Sequence, residues 1–573
     1  MGHSLMHKLT CRYLAIWFFL TTASCIVLSA KDKEKEKENN PEIKFTTHSE
    51  LVLVPTLVTD KSGAHISGLK QEDFRVFENG SERKIATFEE ITSDTQRLAR
   101  TRNANEFSNA ITGNEANRRL TLIVLDLINT PVTDQFFARK DLLKYLTESL
   151  DRREPTALYT LTRSGIHIVH DFTSDPRVLI AALHKVKGDA GQMVDTPEET
   201  EMMTGTASPD GSAGLDPGVV QTEATQLQAM LEDAELNFQS FEQRLAITYT
   251  LEGMQQVAQA LGGISGRKSL IWAGGGFPFS ISDTTMQLAP AGRDSLGDIL
   301  PMYEHTWQLL NNAQVAVYPI DVKGLQPVSA SASISNPGRR YVQNMSWRQM
   351  DTHSTLQTFA GMTGGRAYYN SNDLVKGFRD AVRDSSEYYM LGYYLDQSNP
   401  RPGWRKLSVK VKREHIEVRA RSGFFVTNAT MNPSSHRDSD LLEALRSPLD
   451  YTAISLSARW DRTEPGTEVG KKRVHYSINL PLDRTLIDAS DSNHMALEFL
   501  ALAKTGEGKQ IDRPMGNRYA FHATAENLAK FEKEGLNYHG TLELAPGEYT
   551  VRFVVRDDLS GRLGSVSAPL KVE

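Results

Sequence analysis

Residues 119–133 read RLTLIVLDLINTPVT. The apolar run Leu120-Thr121-Leu122-Ile123-Val124-Leu125 has no polar–apolar alternation. It predicts a strand buried on both faces, as in a parallel α/β sheet whose two sides are covered by helices. The run stops at Asp126, passes Asn129, Thr130 and Pro131, and gives way to a helical pattern from about Asp134. A carboxylate just beyond the carboxyl end of a central strand sits where open α/β sheets hold their ligands. Asp126 is therefore the first candidate functional residue.

Strands and helices alternate outward from this stretch. A helix is expected at about Gln135 to Leu150, with Phe136, Phe137, Leu142, Leu143, Leu146 and Leu150 on one buried face. Strands follow at Thr156 to Thr162 and Ile166 to Phe172, divided by Gly165, and Asp175-Pro176 opens a helix. Residues 188–220 carry no period and read as an insertion. The long helical pattern Glu223 to Leu261 ends at Gly262-Gly263. The buried strand Lys268 to Ala273 ends in Gly274, Gly275 and Gly276. A helix near Met302 to Asn312 and the strand Val315 to Asp321 come next, and Tyr341 to Met350 is poorly defined. Then come helices at His353 to Ala360 and Asn372 to Asp384, a short strand Arg366 to Tyr369, and a last strand Tyr388 to Leu395. Over 119–395 this predicts a doubly wound α/β domain with a mostly parallel sheet.

The flanks have period two. Residues 45–92 read as a small β module: Pro55 argues for an edge position in its first strand, and Asn79-Gly80 for a type I′ hairpin. Asp60 and Asp73 read there as turn formers. Residues 93–118 read as a linker and 396–427 as a β-hairpin extension. Residues 441–573 predict a β-sandwich of immunoglobulin-like size, with strands at Ile454 to Trp460, Val474 to Leu480, Ala496 to Ala503 and Tyr549 to Arg556.

Of 573 residues, the first thirty have the form of a secretory signal: Lys8 and Arg12, an apolar stretch from Leu14 to Leu28, and Ala30 as a cleavage position. An uncleaved anchor and lipid attachment at Cys25 are the alternatives. Residues 31–44, beginning KDKEKEKENNP, are a charged tether. Both cysteines, Cys11 and Cys25, lie in the leader, so a cleaved chain has neither a disulfide framework nor cysteine chemistry. These features predict a secreted, periplasmic or cell-envelope bacterial protein that meets a membrane only through its N-terminal segment. The net charge of −7, without a basic block, argues against nucleic acid as a partner.

Several segments in order resemble a von Willebrand factor A-like domain, and more closely the secreted VWFA-related family of Acidobacteria. They are Val58-Thr59-Asp60-Lys61-Ser62-Gly63, Gly68-Leu69 with Asp73 to Gly80, Leu125 to Pro131, Ser269 to Phe277, and Arg405 to Val411 through Arg419 to Phe424. The resemblance covers roughly residues 50 to 427. It implies a domain that binds another protein, in many relatives through a divalent cation such as Mg²⁺ held by Asp-x-Ser-x-Ser, a distant Thr and a later Thr-Asp-Gly. Here Asp126 and Thr130 match the first and last of those positions. Ile128 replaces the middle Ser, and Ala273-Gly274-Gly275 stands where Thr-Asp-Gly would be. Asn129 or Asp321 are the available substitutes. Asp126 is either a ligand in a degenerate site or a cap of the strand end.

Other chemistries fit less well. GGISGRKS, Gly262 to Ser269, has Arg267 where a phosphate loop needs Gly, and Ser265 lacks a nucleophile-elbow context. The histidines show no metal-binding spacing. The expectation is an exported, non-enzymatic interaction protein whose partner, another protein, meets a face formed by Asn129, Gly274, Gly275 and Gly276 around Asp126 and Thr130. The competing classes are an envelope hydrolase or nucleotide-binding enzyme in the same crevice, and a structural scaffold. A nucleophile–base pair within hydrogen-bond reach there would favour the enzyme.

Overall fold

A computed structural model describes residues 51–92, 105–110, 120–150, 155–186, 217–277, 280–281, 288–289, 300–324, 353–384, 386–395, 403–426, 437–488, 491–506 and 508–573. The leader, the tether, both cysteines, residues 188–216 of the expected insertion and Tyr341 to Met350 lie outside the described residues.

The chain opens with strands β1 (Leu51–Thr59), β2 (Phe74–Glu78), β3 (Ser81–Arg83), β4 (Thr87–Ile91) and β5 (Glu106–Ser108). Then come β6 (Leu120–Asp126), helix α1 (Val132–Glu148), β7 (Thr156–Thr162), β8 (Gly165–Thr173) and α2 (Pro176–Leu183). The 45-residue α3 (Pro217–Leu261) leads to β9 (Lys268–Gly274), the small pair β10 (Ser280–Ile281) and β11 (Leu288–Ala289), α4 (Leu300–Asn312) and β12 (Val315–Asp321). Helices α5 (353–363) and α6 (Leu374–Arg383) precede β13 (Tyr388–Tyr394), β14 (Gly403–Val411), β15 (Glu417–Arg419) and β16 (Gly423–Val426). After α7 (Arg437–Arg446) the chain is nearly all strand: β17 (Ser457–Pro465), β18 (Lys472–Leu480), β19 (His494–Thr505), β20 (Gln510–His522), α8 (Ala525–Glu534), β21 (Leu536–Leu544), β22 (Gly547–Asp557) and β23 (Leu563–Val572).

The expected fold class does not hold. Strand (43%) outweighs helix (29%), and among the described residues five of the six sheets are wholly antiparallel, while the central one, β12-β9-β6-β7-β8, is mixed. Two local causes account for this. At Gly165, with φ of 95°, the chain reverses between β7 and β8, and so short a connection permits only antiparallel pairing. The strand expected to complete a parallel sheet, β13, instead pairs antiparallel with both β1 and β4. The short strand expected at Arg366 to Tyr369 is a single bridge from Tyr368 to Ile320. The protein is a mostly antiparallel, multi-sheet chain with one mixed sheet, not a doubly wound parallel one.

The pairing also redraws the N-terminal module. Sheets β15-β1-β13-β4 and β16-β14-β2-β3 share one core, in which Val54, Val58 and Val76 pack with Tyr389, Leu391 and Phe424. Residues 51–91, 388–395 and 403–426 therefore build one two-sheet body, and the central sheet is inserted between β4 and β13. Pro55 is tolerated because β1 has β15 as a neighbour only over Leu57 to Thr59. Asn79 and Gly80 both have positive φ, as a type I′ turn requires. The segment expected as a linker supplies β5, which pairs with β17 and joins the C-terminal sandwich. That sandwich consists of sheets β21-β18-β17-β5 and β20-β19-β22-β23.

Strand β6 lies in the middle of the mixed sheet, parallel to β7 on one side and to β9 on the other. One of its faces packs Ile123 and Leu125 against Leu142, Tyr145 and Phe378; the other packs Leu122 and Val124 into the layer of α3 and α4. Burial on both faces is what the uninterrupted apolar run anticipates. The α3–α4 layer continues through Leu441, Leu445 and Leu449 to Val554 and Leu563 of the C-terminal sandwich. Among the described residues no helix is long and apolar enough to cross a membrane.

Candidate functional site at the strand ends

At the end of β6 the chain turns sharply so that α1 can begin at Val132, and Asp126 organises the turn. Its Oδ1 accepts hydrogen bonds from the backbone amides of Ile128 (3.1 Å) and Asn129 (3.0 Å). Its Oδ2 accepts from Asn129 Nδ2 (2.7 Å) and from Trp272 Nε1 (2.9 Å) on the neighbouring β9. The Thr130 hydroxyl donates to the Asp126 carbonyl and accepts from the Gly275 amide at 2.9 Å. Asn129 Nδ2 also reaches Thr250 of α3 at 2.9 Å, and Gln135 Nε2 donates to the carbonyls of Leu127 and Thr130. Burial holds the Asp126 pKa above the ordinary carboxylate value, and the bonds from Asn129, Trp272 and the Ile128 amide offset only part of that rise.

The glycines have a packing reason. A Cβ on Gly274 would sit 2.9 Å from Asp126 Cβ, and one on Gly275 would sit 2.5 Å from the Asn129 carbonyl oxygen. Gly276 has φ of 120°, where a side chain is strained. All three are buried, so they form the floor under the Asp126 turn and present no open surface. Asn129 is half-buried and occupied by its own bonds.

This geometry does not fit a cation. A hard metal ion needs oxygen lone pairs turned toward it, but both Asp126 oxygens face N–H donors and the Thr130 hydroxyl is engaged at both of its functions. Ile128 is buried in the core. Asp321, the proposed substitute, lies at the end of β12: its Oδ1 accepts from the Lys323 amide at 3.0 Å, and its Oδ2 stands 3.6 Å from His353 Nε2. The His353 ring stacks on Tyr369 at 4.3 Å. Asp134, at the start of α1, has its pKa raised by burial, lowered by Lys323 and raised again by Asp321.

Sequence reasoning missed three contributors. Trp272 supplies the donor that ties β9 to Asp126; the signal was a lone indole in an aliphatic strand, whose buried N–H must find an acceptor. Thr250 lies 121 residues from Asn129 in sequence, and nothing local announced it. The third concerns Phe136 and Phe137, expected in the core but 61% and 54% exposed. The buried face of α1 is Gln135, Ala138, Leu142, Tyr145 and Leu146, and at about 100° per residue positions 136 and 137 fall to either side of it, toward solvent. With the exposed Val132 they form an apolar patch in the first turns of α1, next to the Asp126 turn, their rings 5.9 Å apart and edge to face.

Two other features bear on chemistry. In the turn between β7 and β8, Ser164 Oγ lies 2.7 Å from His167 Nε2. Both residues are exposed, and among the described residues no carboxylate orients the imidazole. A cleft of about 380 Å³ lies at the opposite end of the mixed sheet, between Leu120, Tyr159, Leu261 and Asp450.

No family model matches the chain, and no curated protein does. Among solved structures, the chain is similar to the N-terminal domain of TFIIH p34, with 9% identity, coverage of 47% of this chain and 99% of that one, and a TM-score of 0.19. It is also similar to beta-glucosidase 3B from Thermotoga neapolitana in complex with alpha-D-glucose. Identity there is 10%, coverage 56% of this chain and 40% of that one, and the TM-score 0.11. At such TM-scores neither likeness carries an argument about fold or function.

Proposed function

We propose that the protein is a non-enzymatic interaction protein, exported to the cell envelope, that receives another protein on the face beside the Asp126 turn. The observation that supports this most is the exposed patch of Val132, Phe136 and Phe137. Large aromatic side chains left in solvent as a group are typical of contact surfaces and serve as anchors in them. The saturated Asp126–Trp272–Asn129 network holds the first turn of α1 rigidly, so the patch is presented without an ordering cost at binding. On this reading the cation has no role, because the chain's own donors hold the carboxylate.

The test is retention of a component from the native host's envelope fraction on the immobilised chain. The double variant Phe136→Ser with Phe137→Ser is expected to lower retention at least tenfold. Equal retention by the two proteins would contradict the proposal. The Ser164–His167 pair supports a second reading, a serine hydrolase. Labelling by a fluorophosphonate probe that disappears in Ser164→Ala would favour the enzyme over the interaction protein.

A further inference from the structure

Helix α3 is far longer than the layer it belongs to. Among the described side chains of the helix, burial begins at Ala246, and Glu242 still reaches Arg163 in the β7–β8 turn at 3.5 Å. Residues Pro217 to Phe241 precede that contact, about 37 Å of helix at 1.5 Å per residue. Within this length Met230, Phe238 and Phe241 are 69%, 62% and 57% exposed, and Ala234 is exposed with them. At 3.6 residues per turn these four positions fall within an arc of about 80°, a single stripe along one side of the helix.

The charge of this segment selects among occupants. Between Pro217 and Phe241 the sequence has Glu223, Glu232, Asp233 and Glu235, and neither Lys nor Arg. By helical spacing, positions 233 and 235 lie on either side of the stripe. A second copy docked stripe to stripe would set carboxylates against carboxylates, the arrangement that helix pairs use to exclude a partner. An anionic membrane surface would be repelled in the same way. Basic flanks around an apolar seam match both features, and Met with Phe suits a surface that adapts to its partner.

We infer that the N-terminal half of α3 is a docking helix for a basic amphipathic helix of a partner protein, separate from the face beside Asp126. Met230, Phe238 and Phe241 supply the apolar seam, and the acidic positions 233 and 235 on either side of it supply the selectivity.

Fluorescence anisotropy with the full chain tests this using two labelled 20-residue probes, an amphipathic Leu/Lys helix and its Leu/Glu counterpart. The Leu/Lys probe is expected to bind and the Leu/Glu probe not to. Phe238→Ser with Phe241→Ser should weaken binding at least tenfold while the helical circular dichroism of the chain stays unchanged. Asp233→Asn with Glu235→Gln should weaken it severalfold and flatten its salt dependence. Equal binding of both probes, or Leu/Lys binding that survives the Phe238 and Phe241 changes, would overturn the assignment. So would a protein dimer in sedimentation that those same two changes dissociate, since the stripe would then serve a second copy.

Discussion

Asp126 ends β6 as the acceptor for four N–H donors, one of them the indole of Trp272. Buried donors left without an acceptor cost about 1–3 kcal/mol each before relaxation. Asp126→Ala is therefore expected to lower stability by about 3 kcal/mol or more in urea unfolding, and millimolar Mg²⁺ or Ca²⁺ to leave the melting temperature of the native chain unchanged. A cation-dependent rise abolished by Asp126→Ala would restore the metal. Glu443 supplies the pH dependence. Burial, with Glu252 and Asp440 adding to it, raises its carboxyl from the ordinary 4.5 to about 8. The folded state thus holds this proton more tightly than the unfolded chain. The associated stability is complete below pH 4.5 and is lost as pH rises through about 8. Glu443→Gln should consequently gain stability relative to the native chain between pH 4 and pH 8, read from urea midpoints at each end; a difference that does not vary with pH would contradict this. At this scale Asp126 was legible as a strand-end cap, because a carboxylate followed by turn residues is a local pattern. Its donor Trp272 was not, nor was the Thr250 hydroxyl that accepts from Asn129, since both reach the turn only through tertiary packing.

Helix α1 shows what periodicity settles and what it leaves open. Its buried face is Ala138, Leu142, Tyr145 and Leu146, against β6 and α6. Leu142→Ala should cost about 2–5 kcal/mol because it opens a cavity there. Phe136→Ser with Phe137→Ser should cost within about 0.5 kcal/mol per site, as exposed substitutions do. Urea unfolding of the two variants checks both figures, and a large loss for the phenylalanine pair would place them in a core after all. The existence of β6, β9 and β12 was legible from apolar runs, that of β7 from Pro155 and Gly165 on either side of it, and the β2–β3 hairpin from Asn79-Gly80. The partners of the strands were not. Strand β13 is apolar along its length and buried on both faces, and such a run does not say which sheet it joins. The three residues of β5 are too few to stand out from a polar stretch.

At the scale of the whole molecule, the N-terminal sandwich receives the mixed sheet as an insertion, and the C-terminal sandwich meets the end of α3 at a hydrogen-bonded seam beside the apolar layer they share. Thr452 donates from its amide to the Gln259 carbonyl and from its hydroxyl to the Ala260 carbonyl, and it accepts from the Gly263 amide. A Cβ on Gly263 would fall 1.8 Å from the Thr452 carbonyl oxygen. Gly263→Ala should therefore part the seam, and calorimetry should show two transitions where the native chain shows one. A single transition in the variant would mean that the shared apolar layer couples the units without the seam. The mixed sheet and α6 hold α1 in place, and the claim that its patch receives a protein is tested most directly by photo-crosslinking. With p-benzoylphenylalanine at position 136 in the native host, a single discrete adduct is expected. Excess native chain should compete it away and the Phe136→Ser, Phe137→Ser chain should not, with no such adduct from the exposed position 530 on α8. The same adduct from both positions, or equal competition by both chains, would contradict the account.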